Sequence, residues 1–453
     1  MKQLYTLILG MVLSLSALAQ NSTSYFMEGS IGRNQWNPAF APTRGYVNMP
    51  FVGGIQADMR GNIALDNILY QNNGNLTTLL SPNVSTSLAL SDLADMNRLG
   101  AGVKLNLIGF GSYTKNQQHF WSFGIDVIAN AEIRAPYDLF AFAKKGTSGN
   151  FANLGASADS YIETSFSYSF PLIEKLYVGV RGKFLVGAAR VAFNFDDFSA
   201  SMGADRWYAH AVGTMEVSGL KPGTTYADDN TLIYDTSNIG DEIKIPAGYG
   251  FGVDLGATYD LLPELQLSLS INDIGFMSWS KKSTSIGQVD RDIEFTGVEI
   301  DAEGNSTQPS FDLDELNFAV VDSNGKTKAL RASINAGAEY SFLDRRIGVG
   351  LFYSTKFWEY KTLHSITGSV NFRPLQWLHA SGSYSIGGKN QNSLGLALNV
   401  CPGFINFFVA TDLLLCKKTP QWIPVSQSNV NLTFGLGFPI GPKGNRRELS
   451  KVN

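Results

Sequence analysis

Apolar and polar residues alternate one by one along most of this chain. Between Tyr177 and Val186, one set is Val178, Val180, Phe184 and Val186 and the other is Tyr177, Gly179, Arg181 and Lys183. Leu265, Leu267, Leu269 and Ile271 alternate with Gln266, Ser268, Ser270 and Asn272. Phe251, Val253, Leu255 and Ala257 alternate with Gly252, Asp254 and Gly256, and Ala332 to Tyr340 alternate with Arg331 to Glu339. Further copies run through 121–128, 162–170, 365–372 and 431–438. Successive side chains of a strand point to opposite sides, so this period of two predicts strands with one apolar and one polar face. Counting the runs gives about fourteen strands, with an even number expected for a closed barrel.

A soluble β-sandwich alternates in the same way. Composition decides against it. The polar faces carry Gly, Ser and Asn rather than Lys and Glu, and the apolar faces end in aromatics such as Phe170, Tyr259 and Phe372. The chain is 12% aromatic and holds 46 Gly, with 16% charged residues against about 25% in soluble domains. These features predict an all-β fold, a transmembrane antiparallel up-and-down β-barrel with a lipid-facing outer band and a polar lumen. Connections agree: very short ones at 171–174, 262–264, 343–345, 373–375 and 401–403 contrast with long polar ones at about 143–158, 198–247, 276–330 and 416–427. Segment 281–330 is the most hydrophilic part and is expected to be an extracellular loop or small hairpin cap.

The opening residues read as export machinery. Lys2, an apolar run from Leu4 to Leu18 and then Ala17-Leu18-Ala19 follow the order of a secretory signal, and the run is shorter than the roughly 20 residues of a membrane helix. The expected organisation is a cleaved signal over 1–19, a hatch or plug over 20–45, a barrel over 46–440 and a polar periplasmic tail over 441–453, the last strand ending near Pro439. Within the hatch, Trp36-Asn37-Pro38-Ala39-Phe40 is too Pro-broken for a strand. Leaving Trp36 and Phe40 in water is costly, so the segment is expected to pack in the lumen or its mouth.

Asn37-Pro38-Ala39 resembles the N-terminal motif of the long-chain fatty-acid transporter barrels, in which such a segment blocks the lumen. A wider set of blocks resembles a family of uncharacterised outer-membrane barrels of Bacteroidota, a domain of unknown function, similar in plan to those transporters and to the barrel subunits of type IX secretion. The blocks are Asn37-Pro38-Ala39-Phe40, Pro136-Tyr137-Asp138-Leu139-Phe140, Asn272-Asp273-Ile274-Gly275-Phe276 with Trp279, Asn406 to Asp412, and Asn431 to Leu436. The resemblance implies a small hydrophobic molecule as ligand, in an outer membrane whose lipid surrounds the barrel.

Candidate chemistry is sparse. The four His residues, His119, His210, His364 and His379, lack ligand spacing for a metal. His364-Ser365, the one adjacent His–Ser pair, faces opposite sides of a strand. Neither an enzyme nor a cofactor is expected. A net charge of -4 argues against a nucleic-acid partner. Cys401 and Cys416, separated by strand-like sequence, are expected to be free thiols. Lys104, Asp126, Arg181, Lys183, Asp254, Arg331 and Glu339 fall on polar faces and are expected to form a lumenal salt network; Asp273 and Asp412, beside aromatics, are expected to cap strand ends or hold a loop. The leading functional expectation is binding or transport of a small hydrophobic molecule. The alternative is a structural or secretion-associated barrel presenting loops 198–247 and 276–330 to a protein partner, and a general porin comes third.

Overall fold

The alternating runs become strands that close on themselves. In the computed structural model, which describes residues 22–446 apart from 73–74, 147, 203–206, 228, 296–315, 323–324, 359–361, 389–390, 413, 415–425 and 427–429, 14 strands form one closed antiparallel barrel. They are β1 in two pieces (Arg44–Asn48 and Ile55–Gly61), β2 (Met96–Tyr113), β3 (Phe120–Pro136), β4 (Gly155–Ile173), β5 (Leu176–Met202), β6 (Gly248–Asp260) and β7 (Leu265–Trp279). The second half comprises β8 (Ser333–Phe342), β9 (Ile347–Phe357), β10 (Thr362–Leu375), β11 (Leu378–Ile386), β12 (Ser393–Val400), β13 (Asn406–Thr411) and β14 (Val430–Lys443). Each strand pairs with its neighbour in sequence, and β14 returns to β1 through Val47 opposite Phe438 and Ile55 opposite Phe434. Closure leaves the barrel no free edge.

The two faces are inverted relative to a soluble protein. Val180, Phe184, Leu255, Leu269, Leu351 and Val370 stand exposed on the outside, while Arg181, Lys183, Asp254, Ser268, Ser270 and Ser369 are buried within. Exposed aromatics gather toward both rims, with Tyr168, Phe342 and Phe372 near the short turns and Tyr249, Phe251 and Phe276 near the long loops. Such an outside suits hydrocarbon bounded by two interfaces.

The long connections are more ordered than their polarity suggests. Residues 198–247 and 276–330 are not plain loops: β5 runs on to Met202, strand Trp207–Ser218 pairs along it, and strand Thr284–Phe295 pairs along that in turn. This projecting sheet has its own core of Phe195, Phe198, Ala211, Met215, Val217, Tyr234 and Phe318, joined by Phe151. Its outer face carries exposed Asp290 and Asp292, and those charges mask the alternation beneath. Residues 62–95 and 137–154 also carry structure, with short helices α1 (Thr86–Leu90) and α2 (Tyr137–Lys145) packed together through Ala89, Leu90 and Ala141.

Two boundaries shift from those expected. The barrel begins at Arg44 and ends at Lys443, which pair with each other. Pro439 does not stop β14, because β13 pairs no further than Gly437; beyond that point one side of β14 is unpaired and a residue without an N–H is tolerated. β1 is interrupted, since it advances from Asn48 to Ile55 while β14 advances only from Gly437 to Phe434. Residues 49–54 therefore bulge, and Phe51, at φ 65°, is 63% exposed. The signal expected over 1–19, Cys416 and the tail beyond Arg446 lie outside the described residues; Cys401 is a free thiol.

Candidate functional site

Residues 22–43 pack as short turns, including 3-10 segments Ser22–Ser24 and Arg33–Gln35, against inward-facing residues of the strands. Tyr25, Phe26, Trp36 and Phe40 cluster there with Phe352, the inward-facing aromatic of β9. Tyr25 stacks on Phe352 at 4.1 Å between ring centres, and Trp36 meets it edge-on at 5.3 Å. Burying each such side chain stabilises by about 1.5–3 kcal/mol. Fixing each residue of an irregular segment costs about 1–2 kcal/mol, so one anchor point would not hold the whole stretch.

Polar contacts supply the other anchors. Asn37 Nδ2 donates to the carbonyls of Ala257 on β6 and Leu269 on β7, both at 3.1 Å, and its Oδ1 accepts from Ala39 N at 2.9 Å. The Trp36 carbonyl accepts from Ser270 Oγ at 2.8 Å and Asn272 Nδ2 at 2.9 Å. The wall is notched to receive this turn. A Cβ on Gly256 would stand 2.0 Å from Asn37 Oδ1, and one on Gly179 would stand 2.2 Å from the Pro38 carbonyl carbon. Elsewhere Thr23 Oγ1 donates to Asp412 at 2.7 Å, and Asn34 Nδ2 donates to Ser122 Oγ at 2.9 Å.

The charges expected in the lumen divide into three groups. Lys104 reaches Asp126 at 3.1 Å and Glu163 at 3.0 Å; Lys183 reaches Asp254 at 2.9 Å and Asp273 at 2.6 Å; Arg181 shares Asp254 at 3.2 Å. Arg181 also donates to the Asn34 carbonyl at 2.6 Å, tying this group to the lumenal segment. Glu339 belongs elsewhere, nearer the turns, where Arg373 pairs with it at 2.6 Å and donates to the Phe26 carbonyl at 2.9 Å. There Glu28 of the segment meets Arg345 at 3.2 Å. Arg331 forms a third pair, with Asp159 at 3.2 Å, toward the loops. Sequence reasoning passed over Glu28, Glu163, Arg345 and Arg373. Glu163 was within reach, on the polar face of the run at 162–170; Arg345 and Arg373 sit in or beside turns, where alternation gives no direction.

Between the segment and the loops lies open space. One chamber is lined by Asp58, Arg60, Lys183, Asp273, Arg331 and Lys356. It adjoins a cavity of about 320 Å³ walled by Tyr161, Met277, Trp279, Leu330, Phe357 and Trp358 on one part and by Asp159, Arg190, Lys328 and Arg331 on the other. Tyr161 and Arg331 line both. Among the described residues no group of three or more His, Cys, Asp or Glu is placed to hold a metal ion.

Comparison with known proteins gives a family. A family model described as a family of unknown function, DUF5723, matches residues 38–412. Comparison with curated proteins gives no match. Among solved structures, the chain is similar to the Ralstonia pickettii toluene transporter TbuX, with 11% identity, a TM-score of 0.45 and coverage of 94% of this chain and 100% of that one. A Pseudomonas aeruginosa FadL homologue shares 10% identity with a TM-score of 0.39, over 93% of this chain and 98% of that one. The translocator domain of the autotransporter NalP from Neisseria meningitidis shares 9%, with a TM-score of 0.32, over 88% and 90%. With TM-scores under 0.5, these likenesses carry no weight in the functional reading.

Proposed function

We propose that this chain, which belongs to the DUF5723 family of unknown function, is an outer-membrane barrel that binds or passes a small hydrophobic molecule, with residues 22–43 as its movable hatch. The observation that carries this reading is the cavity of about 320 Å³ on the loop side of the segment, whose wall combines Tyr161, Met277, Trp279, Leu330, Phe357 and Trp358 with the charged Asp159, Arg190, Lys328 and Arg331; an entering molecule would pause against the aromatic part. An exposed apolar band around a polar interior supports a lipid setting, and the contrast of short turns with long loops supports turns in the periplasm and loops outside. Residues 1–19 then serve as the export signal. Cargo enters through the loops, rests against Trp279 and Leu330, and leaves when the Asn37 turn lifts from its notch.

Mass spectrometry of small molecules copurifying from native membranes tests this, beside an unrelated barrel prepared identically. An apolar compound enriched with the wild type and lost with Trp279→Ala is the expected result. No enrichment of any apolar compound, with uptake of every tested lipid unchanged by gene deletion, would sink the reading.

A second reading, that the barrel presents its loops to a protein partner, is favoured by the projecting sheet, whose separate core is more than a passage needs. Crosslinking in intact cells through Tyr226, 67% exposed on that projection, should then recover a specific partner. Recovery of none would remove it.

A further inference from the structure

Beyond β14 the chain turns back into the barrel mouth. Gly444 N donates to the Thr43 carbonyl at 3.0 Å and Asn445 N to the Gln117 carbonyl at 2.8 Å. Arg446 follows, and although it lies past the last strand it is only 3% exposed. Its Nη1 donates to the Ala39 carbonyl at 3.0 Å and to Ser169 Oγ at 3.1 Å. Its Nη2 donates to the Ser169 carbonyl at 3.1 Å and to Ser169 Oγ at 3.0 Å, and its Nε to the Gln118 carbonyl at 2.8 Å. The guanidinium lies 4.7 Å from the ring centre of Tyr177 and 5.7 Å from that of Tyr113, both within cation–π reach.

This is a built site. Carbonyls and a hydroxyl converge on the fork of donors that a guanidinium presents and an ammonium does not. Ser169 is held in place, since its hydroxyl also contacts the Ala39 carbonyl at 2.9 Å. Tyr113 is fixed by donating to the Pro42 carbonyl at 2.6 Å. What the site grips is the exit of the lumenal segment, the stretch from Ala39 to Thr43 where the chain leaves the lumen to start β1. Ala39 is also the last residue of the Asn37-Pro38-Ala39 turn.

We infer that the turn side of the barrel carries a guanidinium-binding socket, formed by Ala39, Ser169, Gln118, Tyr113 and Tyr177 and filled in cis by Arg446, which latches the lumenal segment shut. The inference rests on the reading of residues 22–43 as a hatch. With Arg446 in place, the Ala39 carbonyl has a charge-assisted partner. Once Arg446 withdraws, the Asn37 turn keeps its seat on β6 and β7, but on the turn side the Ala39 carbonyl keeps only the neutral hydrogen bond from Ser169 Oγ. A free guanidinium compound of small size should reoccupy the socket and restore the hold.

Hydrogen–deuterium exchange of the full barrel in detergent tests this, on wild type, Arg446→Ala, Arg446→Lys and Arg447→Ala, each first shown to be folded by its heat-modifiable migration. In the wild type, peptides covering 25–43 should be protected. Arg446→Ala should raise exchange over 36–43 about tenfold, the order expected for losing a hydrogen bond to a charged group, and ethylguanidinium chloride should reverse the change where ethylammonium chloride does not. Arg446→Lys should behave as Arg446→Ala, and Arg447→Ala as wild type. Protection over 36–43 that is unchanged in a folded Arg446→Ala barrel overturns the latch, and so does a rise that ethylammonium reverses equally well. Full exchange of 25–43 already in the wild type would fail differently, because it removes the hatch itself and the latch with it. If Arg446→Ala does not fold, Arg446→Lys carries the same comparison.

Discussion

At the scale of single residues, Asn37 is the point on which the lumenal segment turns. Its amide makes two hydrogen bonds to strand carbonyls and its oxygen accepts one from within the turn. Asn37→Ala should weaken docking by about 1–3 kcal/mol, since buried carbonyls lose their partners; faster tryptic cleavage at Arg33 in the folded barrel measures it. Gly256→Ala should do as much by collision, its Cβ falling 2.0 Å from Asn37 Oδ1, whereas Gly182→Ala should be silent because nothing lies within 4 Å of that Cβ. Equal cleavage of both alanine variants would contradict the notch. Arg373 is buried with Glu28 and Glu339, and breaking a buried pair by removing one partner costs about 3–5 kcal/mol. Arg373→Ala should lower unfolding stability in urea by that order, with partial recovery in Arg373→Ala/Glu339→Gln. The burial of Trp36, Asn37, Ala39 and Phe40 was legible in the sequence because large aromatics flanking a proline break are costly to leave in water. Gly179 and Gly256 were not, since glycine is common on barrel strands and only the partner's position gives these two a role.

At the scale of elements, alternation is a reliable guide where one face meets lipid and the other a polar lumen. β5, β6, β7 and β8 were readable for that reason. The signal fails where a strand leaves that two-sided environment. β1 departs from the pattern at its bulge, β14 continues past a proline on its unpaired side, and the strands of the projecting sheet show charge on one face and small apolar residues on the other. That sheet folds around Met215, Phe198 and Phe318 and not around lipid. Met215→Asp should therefore unfold the projection and leave the barrel intact, since it places an unpaired carboxylate in an apolar core. Protease digestion of intact cells should then cut within 203–247 while the remaining barrel keeps its heat-modifiable shift. Loss of that shift would mean that the projection and the barrel are one cooperative unit.

At the scale of the whole molecule, residues near both ends of the described chain meet on the turn side, where the Ala39 carbonyl accepts from both Ser169 and Arg446. Arg181, Arg373, Asp412 and Arg446 each tie a different strand or terminus to the segment. Opening therefore has to break contacts spread around the circumference. Under the proposed function, a molecule resting in the cavity toward the loops is passed on only when residues 22–43 move. The central claim is that residues 22–43 obstruct the lumen, and single-channel conductance in planar bilayers tests it most directly. Wild-type protein should be nearly silent, and a folded barrel lacking 22–43 should conduct persistently. Wild type conducting as much as the deletion, or a folded deletion barrel that stays silent, would contradict it.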